Sequence, residues 1–194
     1  VRLHDELYVP APDPKPFTSR LIAEGIPADV YSFLQDLHEP EPKFDYPNEI
    51  ESLAVLPLST YSHWIDKQIR AKPRNMIRKA VKSGVQLRVL PLSEGLVQGI
   101  KAIYDETPIR QGKRNRHFAK DADVLWKEHS TFLDRSDFIG AFYGDELIGF
   151  AKVVHSPHCS IIMNLVSKLE HRDKAPNNAL LAKVVELVAE RGIS

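Results

Sequence analysis

Two cationic residues precede the last predicted helix, and this arrangement could bind a phosphate group. The segment reads Arg172-Asp173-Lys174-Ala175-Pro176-Asn177-Asn178 and continues into Ala179-Leu180-Leu181. The first amides of a helix have no partner within the helix, and the helix dipole is positive at that end. Pro176 suits the first turn because a missing N–H costs nothing there. The segment therefore predicts an anion site, with an ordinary solvated connection as the alternative.

The histidines and the single cysteine form a second group that could do chemistry. His155, His158 and Cys159 are close in sequence, and His171 follows the next predicted strand. Four such ligands could hold zinc, but this spacing fits no recognised finger or protease motif, so we expect no metal. One cysteine near histidines in sequence is not a spatial dyad. The chain also lacks a Walker loop, a Gly-x-Ser-x-Gly elbow and a His-Glu-x-x-His helix.

Regular hydrophobic patterns begin near residue 60 and define the elements that position these groups. A basic helix is predicted over residues 64–82, or two helices divided at Pro73, with a stop at Ser83-Gly84. A strand over residues 85–92 follows, and Ser93 then caps a helix. After a polar stretch, a further helix is predicted to include Val124, Leu125, Phe132 and Leu133.

The rest of the chain predicts three strands and a helix. Residues 138–143 and 147–155 form a hairpin through Gly144-Asp145-Glu146. Residues 160–167 are almost continuously apolar, which favours a central strand covered on both faces. The final helix, residues 177–191, carries its apolar side chains on one side. The order is therefore strand, helix, helix, three strands, helix.

Composition limits the class of protein. The 194 residues suffice for one buried core with an appended segment, and 26 cations balance 26 anions, so no global field draws the chain to nucleic acid or membrane. One cysteine and the absence of a long apolar run or signal pattern indicate a soluble cytoplasmic protein. The start at Val1 and the stop just after Gly192 are consistent with a domain truncated at its C-terminus.

Prolines set the first 60 residues apart. Nine of the fourteen prolines lie in the first 57 residues, which predicts an extended, irregular arm. A short helix is expected over residues 28–37. We expect the arm, residues 1–60, to pack on the main domain rather than to be a disordered tail, because it contains aromatic side chains that disordered segments usually lack.

The run from Arg172 to Leu181 resembles the coenzyme A pyrophosphate loop of GNAT acyltransferases. That pattern is Gln or Arg, two residues, Gly, one residue, then Gly or Ala, opening a helix with paired leucines. Arg172 matches the first position, whereas Ala175 and Asn177 stand at the two small positions. The hairpin of residues 142–150 and the order of elements are similar too. Over residues 85–194 the resemblance implies an α/β fold with a mixed, mostly antiparallel sheet flanked by helices, in a domain spanning 61–194.

The GNAT resemblance implies a donor site and an acceptor site. The donor would be acyl-CoA, with acetyl-CoA favoured, and no metal. The implied diphosphate contacts are Arg172, Asp173, Lys174, Ala175, Pro176, Asn177 and Asn178, and the pantetheine arm would lie along Leu165, Val166 and Ser167. The connection between the first two helices commonly shapes the acceptor pocket in such folds. The implied acceptor contacts are Tyr104, Arg110, Gln111 and His117. The cations of this connection favour an acidic acceptor, with a solvated loop as the alternative.

By this resemblance the reaction is direct transfer to a small amine or peptide, with no covalent intermediate. A base must take the ammonium proton and an acid must protonate the leaving thiolate. The candidate bases are Glu106, His155 and Glu170. The tyrosine that usually serves as the acid, beyond the next strand, has no counterpart before Ser194. A non-catalytic GNAT-fold binding domain is therefore one alternative, and the oligomeric state stays open.

The basic segment Arg74 to Val85 resembles the helix that enters the transferase domain of FemAB-type aminoacyltransferases, which take amino acids from charged tRNA. The cations concentrated there could bind a polyphosphate or RNA backbone. They are Arg70, Lys72, Arg74, Arg78, Lys79 and Lys82. No aromatic residues are interleaved for base stacking, so tRNA is the second alternative and a solvated helix face over Ile77 and Val81 is the third.

Overall fold

The computed structural model describes residues 13–33, 35, 41–50, 52–157 and 159–193. The described residues form two compact units. The first contains residues up to 56 together with 156–157 and 159, and the second contains 57–155 and 160–193. The packing of the arm on the main domain stays a prediction.

The first unit contains one helix, α1, at Pro14–Ala23. Asp13 caps it, since its carboxylate accepts a hydrogen bond from the amide of Lys15 at 3.0 Å. The helix predicted over residues 28–37 is wrong for its described part, because residues 28–33 are not helical and 34, 36 and 37 lie outside the described residues. The rings of Tyr31 and Phe33 instead stack 5.5 Å apart in irregular chain, and Tyr31 lies 4.9 Å from Phe17.

The second unit begins with two helices. The helix α2, Tyr61–His63, continues into a π-helical turn, Trp64–Gln68, and α3 spans Ala71–Lys82. The break lies at Ile69 and Arg70, which are extended, and not at Pro73. Pro73 is tolerated because it occupies the first turn of α3, where the helix needs no N–H.

The remaining elements follow the predicted order, with one addition. A two-stranded hairpin, β2 and β3, lies within the polar stretch after α4. The bounds are β1 Gln86–Leu90, α4 Glu94–Tyr104, β2 Ile109–Arg110, β3 Lys113–Arg114, α5 Ala122–His129, β4 Ser136–Tyr143, β5 Glu146–His155, β6 Ser160–Ser167 and α6 Pro176–Glu190. Ser93 caps α4 as predicted. The helix α5 ends before Phe132, whose left-handed backbone (φ 58°) excludes it from the helix predicted to include it.

Four strands form the main sheet in the order β1-β4-β5-β6, and each described pair is antiparallel. The β4–β5 hairpin is confirmed, with Gly144 at φ 60° in its turn. One face packs against α3 and α6, through Ala151 and Val153. The other face packs against α4 and α5, through Phe138 and Phe150. The predicted α/β fold, with an antiparallel sheet flanked by helices, is confirmed.

The strand β6 lies at the edge of the described sheet, so the prediction of a central strand covered on both faces is wrong. It pairs with β5 alone, and Ile162 and Met163 are exposed. An apolar run without alternation does not distinguish a central strand from an edge strand. The pairing also shifts by one residue, since Lys152 faces Asn164 but Val153 faces Ile162, which leaves Met163 as a β-bulge.

Two isoleucines test the assignment of core and edge. Ile148 is fully buried, whereas Ile162 is 39% exposed. Ile148→Val should lower the free energy of unfolding by about 1 kcal/mol, because it removes a buried methylene. Ile162→Val should change it by less than about 0.5 kcal/mol. Urea unfolding of both variants measures the difference, and equal losses would contradict the placement of β6.

No helix among the described residues combines the length and the apolar character needed to cross a bilayer.

Candidate functional site

The opening of α6 is shaped by a left-handed residue at Ala175. A 3-10 turn, Arg172–Lys174, precedes it, and Ala175 has φ 54° and ψ 43°, a conformation that favours glycine. The amides of Asn178 and Ala179 both donate to the carbonyl of Ala175, at 3.1 and 3.4 Å. Pro176 has no N–H, so the amide of Asn177 is the first that this turn leaves for water or a ligand.

The charged side chains around this opening differ in their contacts. Arg172 is exposed. Lys174 lies 4.8 Å from the ring centroid of Tyr143 and 3.4 Å from the carboxylate of the exposed Asp173. The opening thus carries two cations and one anion within three residues, which gives a modest positive charge beside the positive end of the helix dipole.

At the end of β6, successive side chains lie on opposite faces of the sheet, and successive backbone groups point to opposite sides of the strand. Leu165 packs on the α3 and α6 side and Val166 on the α4 and α5 side, while Ser167 is buried. The amide of Lys168 donates to Ile148 in β5 at 2.8 Å. Backbone groups of adjacent strand residues point in opposite directions, so those of Ser167 and of Leu165 two residues earlier face away from β5.

Glu106 and Arg110 join the end of α4 to the end of β6. The Glu106 carboxylate accepts hydrogen bonds from the amides of Leu169 at 2.7 Å and Glu170 at 2.9 Å. It also lies 3.6 Å from the Arg110 guanidinium, which donates to the carbonyl of Ser167. We call this group the Glu106–Arg110 clamp. It occupies both oxygens of Glu106, and it covers the outward carbonyl of Ser167.

Tyr104 is the centre of a buried aromatic stack beside β6. Its ring lies 4.4 Å from that of His117 and nearly parallel to it, and Asn164, next to the bulge in β6, donates to its hydroxyl at 3.5 Å. Burial raises the pKa of Tyr104 above its usual range. Burial, and then the charge of Lys120, lower the pKa of His117, so this imidazole is neutral near pH 7.

The β2–β3 hairpin places Gln111 at its tip. Gln111 and Gly112 both have positive φ, as a two-residue hairpin turn requires, and the Gln111 side chain is exposed. Next to the hairpin lies an open cleft of about 560 Å³. Its lining residues are Pro108, Arg114, Asn115, Arg116 and Phe118. The structure therefore brings Tyr104, His117 and Arg110 to the neighbourhood of β6, and it leaves Gln111 outside this group.

Sequence reasoning missed two asparagines that organise this region. Asn115 donates to the carbonyls of Tyr104 at 2.8 Å and Thr107 at 3.1 Å, which fixes the start of the connection after α4. Asn164 reaches the Tyr104 hydroxyl from the bulged part of β6. A polar residue inside the apolar run of β6 was the available signal for Asn164. No pattern distinguishes Asn115 within its polar stretch.

His155 lies at the opposite end of the sheet. Its Nδ1 is 2.8 Å from the hydroxyl of Ser160 and its Nε2 is 3.0 Å from the carboxylate of Asp137. Burial lowers the pKa of His155, and the hydrogen bond to Asp137 opposes this. Ser160 begins β6 and Ser167 ends it, so His155 and the Glu106–Arg110 clamp are roughly 20 Å apart along the strand.

Glu170 belongs to a charged cluster after β6. The carboxylates of Glu146 and Glu170 and the imidazole of His171 lie close enough to share one ion. Lys168 already supplies a positive charge there, since its ammonium binds Glu146 and lies 3.2 Å from Glu170. The hydrogen bond from Lys168 is the main cause that lowers the pKa of Glu146. Of the four zinc-ligand candidates from the sequence, His158 lies outside the described residues.

The cations of α3 do not all face solvent. Arg70, Lys72, Arg78, Lys79 and Lys82 are exposed. Arg74 is half-buried and donates to the carbonyls of Asp66 at 2.9 Å and Ile69 at 3.1 Å, which holds the break between the two helices. Ile77 packs on the core, but Val81 is exposed. The basic surface therefore has five of the six predicted cations.

A buried histidine beside the aromatic stack makes stability depend on pH. Burial, and then the charge of Lys152, lower the pKa of His129 to about 4. The folded protein therefore favours neutral His129, and this contribution is complete above pH 6.5 and is lost as the pH falls toward 4. Between pH 7 and pH 5 the free energy of unfolding should fall by about 2 kcal/mol from this group.

His129→Phe isolates that contribution. The ring contacts Phe138 and Phe150, and neither ring nitrogen has a hydrogen-bond partner in the described part of the chain, so phenylalanine should fit. Urea unfolding at pH 7 and pH 5 should show a smaller loss in this variant than in the parent. Exposed His63→Gln is the control and should keep the full loss. An unchanged pH dependence in His129→Phe would contradict the assignment.

Comparison with known proteins gives similarity at the level of solved structures. No protein-family model matches the chain, and no curated protein is significantly similar to it. A putative GNAT-family acetyltransferase from Desulfovibrio desulfuricans matches with a TM-score of 0.44 and 20% identity, over 56% of this chain and 68% of that one. The PaiA N-acetyltransferase from Thermoplasma acidophilum, in complex with coenzyme A, matches with a TM-score of 0.40 and 17% identity, over 56% and 75%.

A third structure covers more of this chain. The L-PGS structure from Bacillus licheniformis matches with a TM-score of 0.49 and 14% identity, over 67% of this chain and 39% of that one. The chain therefore spans well under half of that protein. Acetyltransferases of the GNAT family are among the solved structures similar to this chain.

Proposed function

We propose that the chain transfers an acyl group from acyl-CoA, with acetyl-CoA as the preferred donor, to an amine acceptor. The observation that carries the proposal is the left-handed turn at Ala175, which opens a 15-residue helix beside Arg172 and Lys174. Ala175 occupies the position where the pyrophosphate loop of GNAT acyltransferases has a glycine. The turn keeps a conformation that suits close approach of a diphosphate to backbone amides.

The donor would bind along the opening of α6 and the outer edge of β6. Arg172 and the amide of Asn177 would contact the diphosphate, because a charged hydrogen bond and a helix N-terminus both favour an anion. The pantetheine arm would pair with the outward backbone groups of Leu165, as an added strand does. The clamp covers the carbonyl of Ser167 and would border this arm.

The acceptor would bind beside Tyr104. The amine nitrogen attacks the thioester carbonyl, a C–N bond forms, the C–S bond breaks and coenzyme A leaves as the thiolate. We propose His117, which stacks on Tyr104, as a contact of the acceptor. Solvent would take the proton of the amine, because Nε2 of His117 already accepts a hydrogen bond from Arg116 Nε at 3.1 Å and its Nδ1 is buried. The thiolate would take its proton from solvent. Glu106 would act as a positioning residue, since backbone amides occupy its carboxylate.

Arg114 and Arg116 line the cleft next to the acceptor region, so we propose an acidic amine or peptide as the acceptor. We also propose a cytoplasmic location, because a free thiol product and a single cysteine suit a reducing compartment.

A thermal-shift titration and a thiol-release assay test the proposed function together. Acetyl-CoA at a hundred times its dissociation constant should stabilise the chain by about 2.7 kcal/mol, which raises the melting temperature by several degrees. Amines with a neighbouring carboxylate should release thiol faster than lysine-like amines. No shift at millimolar acetyl-CoA, together with no thiol release from any amine, would exclude the proposed function.

The two alternatives give different results. A binding domain would show the thermal shift without release of thiol by any amine. An aminoacyl-tRNA user would bind tRNA through α3, so reversal of Arg74, Arg78 and Lys79 to glutamate should abolish tRNA binding. Arg74 also holds the break between the two helices. The double variant Arg78→Glu/Lys79→Glu keeps Arg74, so it should fold better than the triple variant and is the preferred test.

A further inference from the structure

A hydroxyl, an imidazole and a carboxylate lie in series where β5 ends and β6 begins. Ser160 Oγ is 2.8 Å from His155 Nδ1, and His155 Nε2 is 3.0 Å from Asp137 Oδ2. The three residues come from three neighbouring strands, β6, β5 and β4, so the sheet itself holds the order. A nucleophile, a base and a group that orients the base are the parts of an activated serine.

The protonation of this series is fixed by its partners. An ionised carboxylate only accepts hydrogen bonds, so Nε2 carries the proton that is donated to Asp137. Nδ1 then has a free lone pair and accepts the hydroxyl proton of Ser160. Because burial lowers the pKa of His155, the imidazole keeps this lone pair near pH 7.

Two arginines lie beside the series. Arg191 donates to the same oxygen of Asp137 at 2.7 Å. Arg135 donates to the backbone carbonyl of His155 at 3.4 Å. Ser160 is half-buried.

We propose that Ser160, His155 and Asp137 form a second reactive centre, separate from the coenzyme A site, that attacks small carboxylic esters. Ser160 Oγ forms a bond to the carbonyl carbon as its proton passes to His155 Nδ1. The bond to the leaving alkoxide then breaks, and that oxygen takes the proton from Nδ1. Water attacks the acyl-serine in the same way, gives its proton to Nδ1, and releases the carboxylic acid with Ser160 restored.

Labelling by diisopropyl phosphorofluoridate tests this centre without any coenzyme A. The Ser160 oxygen displaces fluoride from phosphorus, and the intact mass with peptide mapping locates the adduct. The folded chain should be labelled at Ser160, and Ser160→Ala should abolish the adduct. Ser136→Ala is the matched control, since the Ser136 hydroxyl donates to the backbone carbonyl of Phe132 and has no histidine partner among the described residues.

Two further variants separate reactivity from a merely structural polar network. Asp137→Asn should slow labelling roughly tenfold, and His155→Gln roughly a hundredfold. Lys183→Gln removes an ion pair within α6 that does not touch the series, so it should be labelled at the parental rate even if its melting temperature falls. Labelling of Ser160 no faster than in the urea-unfolded chain, or at the same rate in His155→Gln, would overturn the proposal.

Discussion

Ala175→Val should weaken the binding of coenzyme A at least a hundredfold, which corresponds to a loss of about 2.7 kcal/mol in binding free energy. Ala175 has φ 54° and is buried at the opening of α6. A β-branched residue is a backbone outlier there, so the turn must open or the helix must start elsewhere. Either change moves the amide of Asn177 away from the diphosphate. Calorimetric titration of coenzyme A into the variant measures the loss.

Ala119→Val is the matched control for Ala175→Val. Ala119 is also left-handed, at φ 59°, but it is exposed and lies in the loop before α5. It should carry a similar backbone strain and keep the parental affinity for coenzyme A. Ala175→Gly should retain binding, because glycine adopts the same conformation freely. Equal losses of affinity for coenzyme A in Ala175→Val and Ala119→Val would show that the weaker binding reflects general destabilisation of the protein.

Removal of the Glu106 carboxylate should reduce kcat/KM for acyl-CoA roughly a hundredfold. Two backbone amides and Arg110 lose their partner together, and hydrogen bonds to a charged group are each worth about 1.5–3 kcal/mol. The segment from Ser167 to Glu170 then loses its connection to α4. In Glu106→Ala the amides of Leu169 and Glu170 should exchange with deuterium at least tenfold faster, a result that needs no enzyme assay.

The split between KM and kcat decides the role of Glu106. A positioning residue acts through the donor site, so Glu106→Gln should mainly raise the KM for acyl-CoA and leave the pH dependence of kcat unchanged. A general base would instead lose kcat and the acidic limb of the profile. Glu186→Ala, which removes a helix ion pair with Lys183, is the control and should keep parental kinetics.

The order of most elements in the second unit follows directly from residue patterns, because these helices and strands have strong local signals. Ser93 caps α4, Gly144 turns the β4–β5 hairpin and Pro176 begins α6, as their conformational preferences require. The place of β6 in the sheet could not be predicted in this way, since pairing partners are set by distant residues. The prolines predict an irregular arm and not the helix α1, because proline usually interrupts a helix; Asp13 and Pro14 instead begin this one.

The candidate site shows the same division. Ala175, at a position where the local motif has a glycine, has a left-handed backbone. The roles of Glu106 and His155 depend on contacts with residues 18 to 64 positions away. The resemblance makes both of them candidate bases, yet the sequence carries no information about which partners already occupy them. The contacts of Asn164 with Tyr104 and of Ser160 with His155 depend on tertiary packing and strand pairing, which local patterns do not reveal.

The central claim is that the opening of α6 holds the diphosphate of coenzyme A. Parallel calorimetric titrations with coenzyme A and with pantetheine, which lacks the diphosphate and the nucleotide, test it most directly. Coenzyme A should bind at least a hundredfold more tightly than pantetheine, and Arg172→Glu should remove most of this advantage. Equal affinity for the two ligands, or no binding of coenzyme A at millimolar concentration, would contradict it.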